Sequence, residues 1–308
     1  KKSTALTPPL LTRLHTTTYN EYIMSRKSQD TLGYIYLVAT TFFWGTTFVF
    51  SKEVLNYLDP FSYLFWRYVI AFIPLVPFIR IRKKDLLDGF WLSITNAIAL
   101  ITQFVALTTI NASTAAFIVS LSIPLTPLLE MLWLKKRQSS TVTLGQIVSV
   151  VGFLALSYVP GEKFSVSIGA FLMLISALAY TVQFVLIPTL HIENQLNTSA
   201  YMIGFTALWS LPFTRSFSIP RGVLSPLLYL ALVATTLTIW LQLQGQKNVS
   251  ATTAAYIFAF EPIFAYLFAH FTVGENLTTF GNIGALLIFL SALLVQYGEY
   301  RTSKATGS

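Results

Sequence analysis

The chain has 308 residues, of which 54% are hydrophobic and only 10% charged, with a formal net charge of +8 and no cysteine. Soluble domains carry about 25% charged residues, so a globule with one core in water is excluded. Disulfides, thiol catalysis and thiolate metal sites are excluded along with the cysteines.

The stretch 1–30 is polar, rich in Ser and Thr, and holds Pro8 and Pro9 without the apolar core of a signal peptide; it is expected to be a disordered cytoplasmic tail. Met24, followed by SRKSQD, resembles a start position, which would make residues 1–23 an upstream extension. Apolar windows follow at 33–55, 61–79, 90–108, 112–134, 141–159, 167–189, 198–214, 224–246, 250–272 and 277–297. Each is read as one crossing of the ~30 Å hydrocarbon layer, for which ~20 residues suffice. Between Gly89 and Leu129 no ionisable residue occurs, so that long run must hold two crossings, turning near Asn111, Ala112 and Ser113. Short segments of strict alternation, which a membrane barrel needs, are absent. The expected fold is all-α, an integral membrane protein of ten transmembrane helices, closed by a short cytoplasmic tail at 299–308.

Basic residues near span ends are retained on the cytoplasmic side. With the amino terminus inside, the cytoplasmic segments hold Arg26, Lys27, Arg80, Arg82, Lys83, Lys84, Lys135, Lys136, Arg137, Lys247, Arg301 and Lys304, while the outer loops hold only Lys52, Lys163, Arg215 and Arg221. Both termini are therefore expected in the cytoplasm of a cell-membrane protein. Topology accounts for the positive charge, and no nucleic-acid partner is expected.

One segment is written twice, as QFVALTTINASTAAF at 103–117 and QLQGQKNVSATTAAY at 242–256. Tyr63 and Pro74 correspond to Tyr201 and Pro212, and Gly145 to Gly284. A unit with an odd number of crossings ends on the side opposite its start, so the second copy is inverted relative to the first. The copies are drawn as 31–160 and 161–298.

WGTTFVFSK at 44–52, STAAFIVSLSIPLTPLLEMLWLKKRQS at 113–139 and TTAAYIFAFEPIFAYLFAHFTVGENLT at 252–278 resemble the paired EamA domains of the drug/metabolite transporter superfamily, over about residues 33–297. The resemblance implies ten helices as two inverted five-helix repeats around a central cavity, alternating access, and export of amino acids or other small metabolites. One departure is visible. Family members commonly end the fourth span with Lys-Glu or Arg-Glu, where this chain has Lys135, Lys136 and Arg137; the second repeat keeps Gly274 and Glu275.

Small residues at 112–116 and 251–255 permit close helix approach, a scaffolding role. Pro74, Pro124, Pro127, Pro188, Pro212 and Pro262 lie in or at the ends of spans, where each favours a kink.

An ionisable side chain at a helix centre costs roughly 2.5–3.5 kcal/mol and must face protein or water. Glu261, followed by Pro262 in the ninth span, is the leading candidate for a substrate and proton-coupling site; the competing reading is a carboxyl that only ties helices together. Arg67 either contacts an anionic substrate group or snorkels to the outer interface. Glu130 is expected to pair locally with Lys135, and His270 to be interfacial. Asn96, Gln103, its repeat partner Gln242, Tyr180, Gln183 and Tyr256 would complete a polar lining. Trp44, too deep for an interfacial belt, either lines the cavity or packs against Gly45.

An intramembrane enzyme would need a nucleophile, a metal or paired acids, and His15, His191 and His270 stand far apart with no H-E-x-x-H or G-x-S-x-G. No phosphate-binding Gly-rich motif is present, so energy would come from gradients rather than ATP. The sequence thus describes a secondary transporter of small zwitterionic or weakly polar solutes. It is expected to need no cofactor and no metal, with the lipid bilayer and a small-molecule substrate as partners, and to act as a monomer or weak homo-oligomer. An uncoupled facilitator or channel-like pore is the alternative.

Overall fold

A computed structural model describes residues 8–135, 137–158, 166–246 and 257–306. Helices satisfy their own N–H and C=O groups, the condition for crossing lipid. Accordingly every described element is helical, with no strand among the described residues.

Helix α1 spans Pro8–Leu55, and its membrane-length part is Thr31–Leu55. The polar stretch expected as a disordered tail is therefore helical from Pro8 onward. Pro8 and Pro9 fall in its first turn, where a missing N–H is harmless. Asp59 caps α2 (Pro60–Phe72) by accepting from the Phe61 and Ser62 N–H groups, and at Pro74 the chain tightens into the 3-10 turn Ile73–Phe78. Next come α3 (Lys83–Leu107), α4 (Ala112–Val119), α5 (Ser122–Leu134), α6 (Ser140–Leu156), α7 (Ile168–Thr189) and α8 (Gln195–Ser210). Beyond a 3-10 turn at Leu211–Phe213, α9 (Leu224–Leu228) runs through the π-helical segment Tyr229–Leu237 into α10 (Thr238–Gln246). Helices α11 (Glu261–Val273) and α12 (Thr279–Thr306) end the chain.

Among the described residues, seven stretches are long and apolar enough to cross a membrane: Thr31–Leu55, Pro60–Phe78, Lys83–Leu107, Ala112–Leu134, Ile168–Ile187, Arg221–Gln242 and Thr279–Thr302. The ten crossings drawn from the sequence thus become seven full-length stretches and three shorter helices, α6, α8 and α11. Pro212 ends α8 early, and α11 begins only at Glu261, with residues 250–256 of its window outside the described residues.

Two interruptions occupy matching places. A turn at Ser120 and Leu121 separates α4 from α5, and another at Ala259 and Phe260 precedes α11. Pro124 and Pro262 each lie in the first turn of the following helix, where no intrahelical N–H bond is lost. The π-helical segment has its own cause. The Thr235 and Thr236 hydroxyls donate to carbonyls five residues back, Leu230 O at 2.8 Å and Ala231 O at 3.1 Å, wedging the ladder open.

Packing crosses between the two halves of the chain: α1 against α10 and α11, α3 against α7 and α8, α6 against α12. The last pair approaches closest at Gly152 and Gly284, where a Cβ on Gly284 would fall 2.4 Å from the Leu156 nitrogen. Helices α2 and α8 lie antiparallel with reciprocal contacts. Ser62, early in α2, accepts from the Arg215 and Ser216 N–H groups beyond α8, while Asn197, early in α8, accepts from the Arg80 N–H beyond α2. The same spacing along the chain separates Ser62 from Asn197 and Arg80 from Arg215. The buried Thr41 and Thr47 hydroxyls on α1 are satisfied locally, Thr41 donating to Leu37 O and Thr47 to Trp44 O.

Candidate functional site

Arg67 is the centre of the buried polar cluster. It sits one helical turn after Tyr63 on α2, and only 6% of it is exposed. The guanidinium turns into the bundle and does not snorkel to an interface. Its Nε–H donates to Thr235 Oγ1 at 3.1 Å, and Nη1 donates to Tyr63 Oη at 3.0 Å. The Tyr63 hydroxyl also bonds Ser51 Oγ at 2.7 Å, so α1, α2 and the π-helical segment meet on one cation. Its carbon lies 5.9 Å from the Phe104 ring centroid and 6.0 Å from that of Tyr63, close enough for cation–π attraction. Ion pairs among the described residues are Lys52–Glu275, Arg82–Asp85, Arg82–Glu193 and Lys84–Asp88, none of which involves Arg67.

Tyr180 on α7 is half-buried and lies within electrostatic reach of Arg67, Tyr68 and Glu261, which draws three of the residues singled out from the sequence together. Its ring stacks on Phe184 with centroids 6.4 Å apart. Asn96, buried on α3, donates to Thr206 Oγ1 at 3.0 Å and Tyr68 Oη at 3.3 Å, joining α3 to α8 and α2. Gln183 is buried one turn beyond Tyr180; its amide nitrogen approaches Met202 Sδ at 3.4 Å, and its Oε1 has no hydrogen-bond partner. Gln103, 7% exposed, makes no side-chain hydrogen bond among the described residues, and neither does half-buried Gln242.

Glu261 is not in the middle of a continuous helix. It is the first residue of α11, immediately after the turn at Phe260, where an N-terminal helix dipole favours negative charge. Gly45 makes this position possible: a Cβ there would fall 3.1 Å from Glu261 O and 2.9 Å from the Ala265 nitrogen, so α1 and α11 touch backbone to backbone. Trp44 packs between helices at this point. It lies beside that glycine, donates Nε1–H to Thr238 Oγ1 at 3.2 Å and packs 5.2 Å from the Phe258 ring. Tyr256 lies outside the described residues.

Tyr63, Tyr68, Thr206 and Thr235 belong to the cluster and were not indicated by charge. Tyr63 carried a signal in its match with Tyr201, and Thr235 in the polar run Thr235–Thr236 within an apolar span.

Each end of the bundle has its own polar lock. At one end Glu275 reaches back to the start of α4, accepting from Ala112 N–H and Ser113 N–H at 3.0 Å each and from the Ser113 hydroxyl at 2.8 Å. Lys52 joins it, 3.9 Å from the carboxylate and donating to Ile110 O at 2.8 Å. His270, exposed near this end, contacts Glu275 O at 3.2 Å. At the other end Asn197 Nδ2 donates to buried Asp85 at 2.6 Å and to Arg80 O at 2.8 Å, and Lys84 bridges Asp88, Leu190 O and His191 O. The Arg82–Glu193 hydrogen bond, and then the field of Asp85, raise the Arg82 pKa further. An apolar pocket of about 160 Å³, lined by Phe117, Ile263, Tyr266, Leu277 and Phe289 among others, shares no residue with the central cluster.

The model of the EamA-like transporter family matches the chain twice, over residues 31–158 and 167–297. An uncharacterized transporter of Archaeoglobus fulgidus is 30% identical over 264 residues, covering 84% of each chain. The uncharacterized transporter YwfM of Bacillus subtilis is 24% identical over 275 residues, covering 85% of this chain and 92% of its own. A crystal structure shares the fold with a TM-score of 0.60 at 13% identity, over 87% of this chain and 97% of that one.

Proposed function

We propose, from the premise that this chain belongs to the EamA-like transporter family, that it is a secondary transporter moving small metabolites across the cell membrane by alternating access. As a member of that family it is a multi-pass membrane protein that transports small solutes. The finer reading has residues 31–160 and 161–298 as two inverted five-helix halves that rock about the Arg67–Tyr180–Glu261 region, with both termini cytoplasmic. The reciprocal α2–α8 contacts and the matching interruptions before α5 and α11 support it.

One observation carries the proposal: a buried cation without an ion-pair partner, an acid at a broken helix end and amides short of hydrogen bonds occur together in one membrane bundle, among the described residues. Broken helices in carriers offer polar backbone to solute near the bilayer midplane. Trp44, Arg67, Asn96, Gln103, Tyr180, Gln183, Gln242 and Glu261 are proposed to contact solute, together with Tyr256. Glu261 exchanges a proton in the cycle. Amino acids and related zwitterionic or weakly polar solutes, moved outward, are the proposed cargo.

The test is counterflow in liposomes holding the purified protein. Saturable exchange of labelled for unlabelled amino acid, responsive to an imposed proton gradient, is expected. Flux that never saturates would mean a pore, and saturable flux indifferent to the gradient an uncoupled facilitator.

A further inference from the structure

We infer that the transported solute carries one carboxylate, which docks on the open edge of Arg67; the inference rests on the transport reading and narrows it, since it excludes uncharged solutes. A guanidinium presents five N–H donors. The protein engages two of them, Nε–H with Thr235 and one Nη1–H with Tyr63, and the described residues offer nothing to the second Nη1–H or to either hydrogen on Nη2. Nη2, with both hydrogens unpartnered, and the second Nη1–H make up the open side of the guanidinium, where a carboxylate can accept charge-assisted hydrogen bonds.

Burial of that edge is the second half of the argument. Arg67 is 6% exposed, and no acid lies within ion-pair distance of it among the described residues. A buried cation without a partner is strongly unfavourable. The Phe104 and Tyr63 rings, with centroids 5.9 and 6.0 Å from the guanidinium carbon, compensate only in part. Around the cluster stand polar groups with equally little to do: the Gln183 Oε1 is buried and unpartnered, and Gln103 is 7% exposed without a side-chain hydrogen bond. A satisfied core would not hold this set. A single guanidinium balances a single negative charge, which selects a carboxylate over a phosphate dianion.

The experiment compares acids with their neutral isosteres. Full-length protein in liposomes is offered each of a set of amino acids, the matching amino-acid amides, acetate, lactate and inorganic phosphate, and the same compounds are scored for thermal stabilisation of protein in detergent. Wild type is expected to exchange and be stabilised by carboxylates at least about tenfold better than by their amides, the scale of one charge-assisted pair. Arg67→Gln is expected to lose that preference and Arg67→Lys to keep part of it. Equal handling of acid and amide by wild type, a preference for phosphate, or retained acid preference in Arg67→Gln would each overturn the inference. The wild-type comparison stands even if Arg67→Gln fails to fold. Exchange of uncharged solutes alone would sink the inference and leave the transport reading intact; carboxylate stabilisation without any exchange would do the reverse.

Discussion

Replacing Glu275 with alanine should unlock one end of the bundle. The carboxylate accepts three hydrogen bonds, at 3.0, 3.0 and 2.8 Å, two of them from backbone groups opening α4 that have no intrahelical partner. Hydrogen bonds to a charged acceptor contribute about 1.5–3 kcal/mol each, and an anion at a helix N-terminus about 0.3–1 kcal/mol. Exposed Asn111 lets water replace part of this, so we expect a net loss of about 2–4 kcal/mol. Lys52, a third exposed and 3.9 Å away, contributes less than about 1 kcal/mol. A change of that size multiplies the open population roughly 30- to 1,000-fold. The chain has no cysteine, so a single reporter thiol has no background. Ala115→Cys places it on α4 at a fully buried site behind the lock. Its reaction with a membrane-impermeant thiol reagent should accelerate by that factor when Glu275→Ala is added. A rate within about twofold of the parent would refute the claim that these contacts hold the end shut.

Glu261→Gln should fold with an unchanged melting temperature and lose the response of exchange to a proton gradient; an unaltered pH profile would remove Glu261 from the coupling. Gly284→Ala should destabilise the protein by about 1–3 kcal/mol or more, because the new Cβ meets the Leu156 nitrogen and Gly152 O, which are backbone and cannot yield. Thermal unfolding in detergent reads this directly. Asn197→Leu should lower the melting temperature as well, since it removes the hydrogen bonds of Asp85 Oδ2 and the Arg80 N–H at about 1–3 kcal/mol for each group left buried, while Arg80 O keeps the Tyr201 hydroxyl. An Asn197→Leu protein as stable as the parent would show that water replaces the amide.

Helix order was readable because charge-free windows of the right length admit one solution in lipid, and the turn before Ala112 fell where Asn111 and the small residues suggested. Pro124 and Pro262 also announced the helix starts just before them, although they read as kinks within spans until the turns at Ser120 and Ala259 were seen. The π-helical segment could not be read, since it depends on whether the Thr235 and Thr236 hydroxyls reach back four residues or five. Arg67 was ambiguous for a related reason. A long side chain near a span end can extend to water or fold inward, and only the Tyr63 and Thr235 oxygens decide. Glu275 stood out as an acid kept in the second repeat, yet its partners are backbone N–H groups far away in sequence, which no side-chain pattern reports.

Alternating access requires the two ends of the bundle to open in turn. The direct measurement is a pair of spin-label distances in the full chain, one between Asn111 and Asn276 at the Glu275 end, the other between Lys83 and Gln195 at the Asp85 end, recorded with and without a transported amino acid. The account predicts that the populations move in opposite senses, one distance lengthening as the other shortens. Both distances lengthening together, or neither responding, would contradict it.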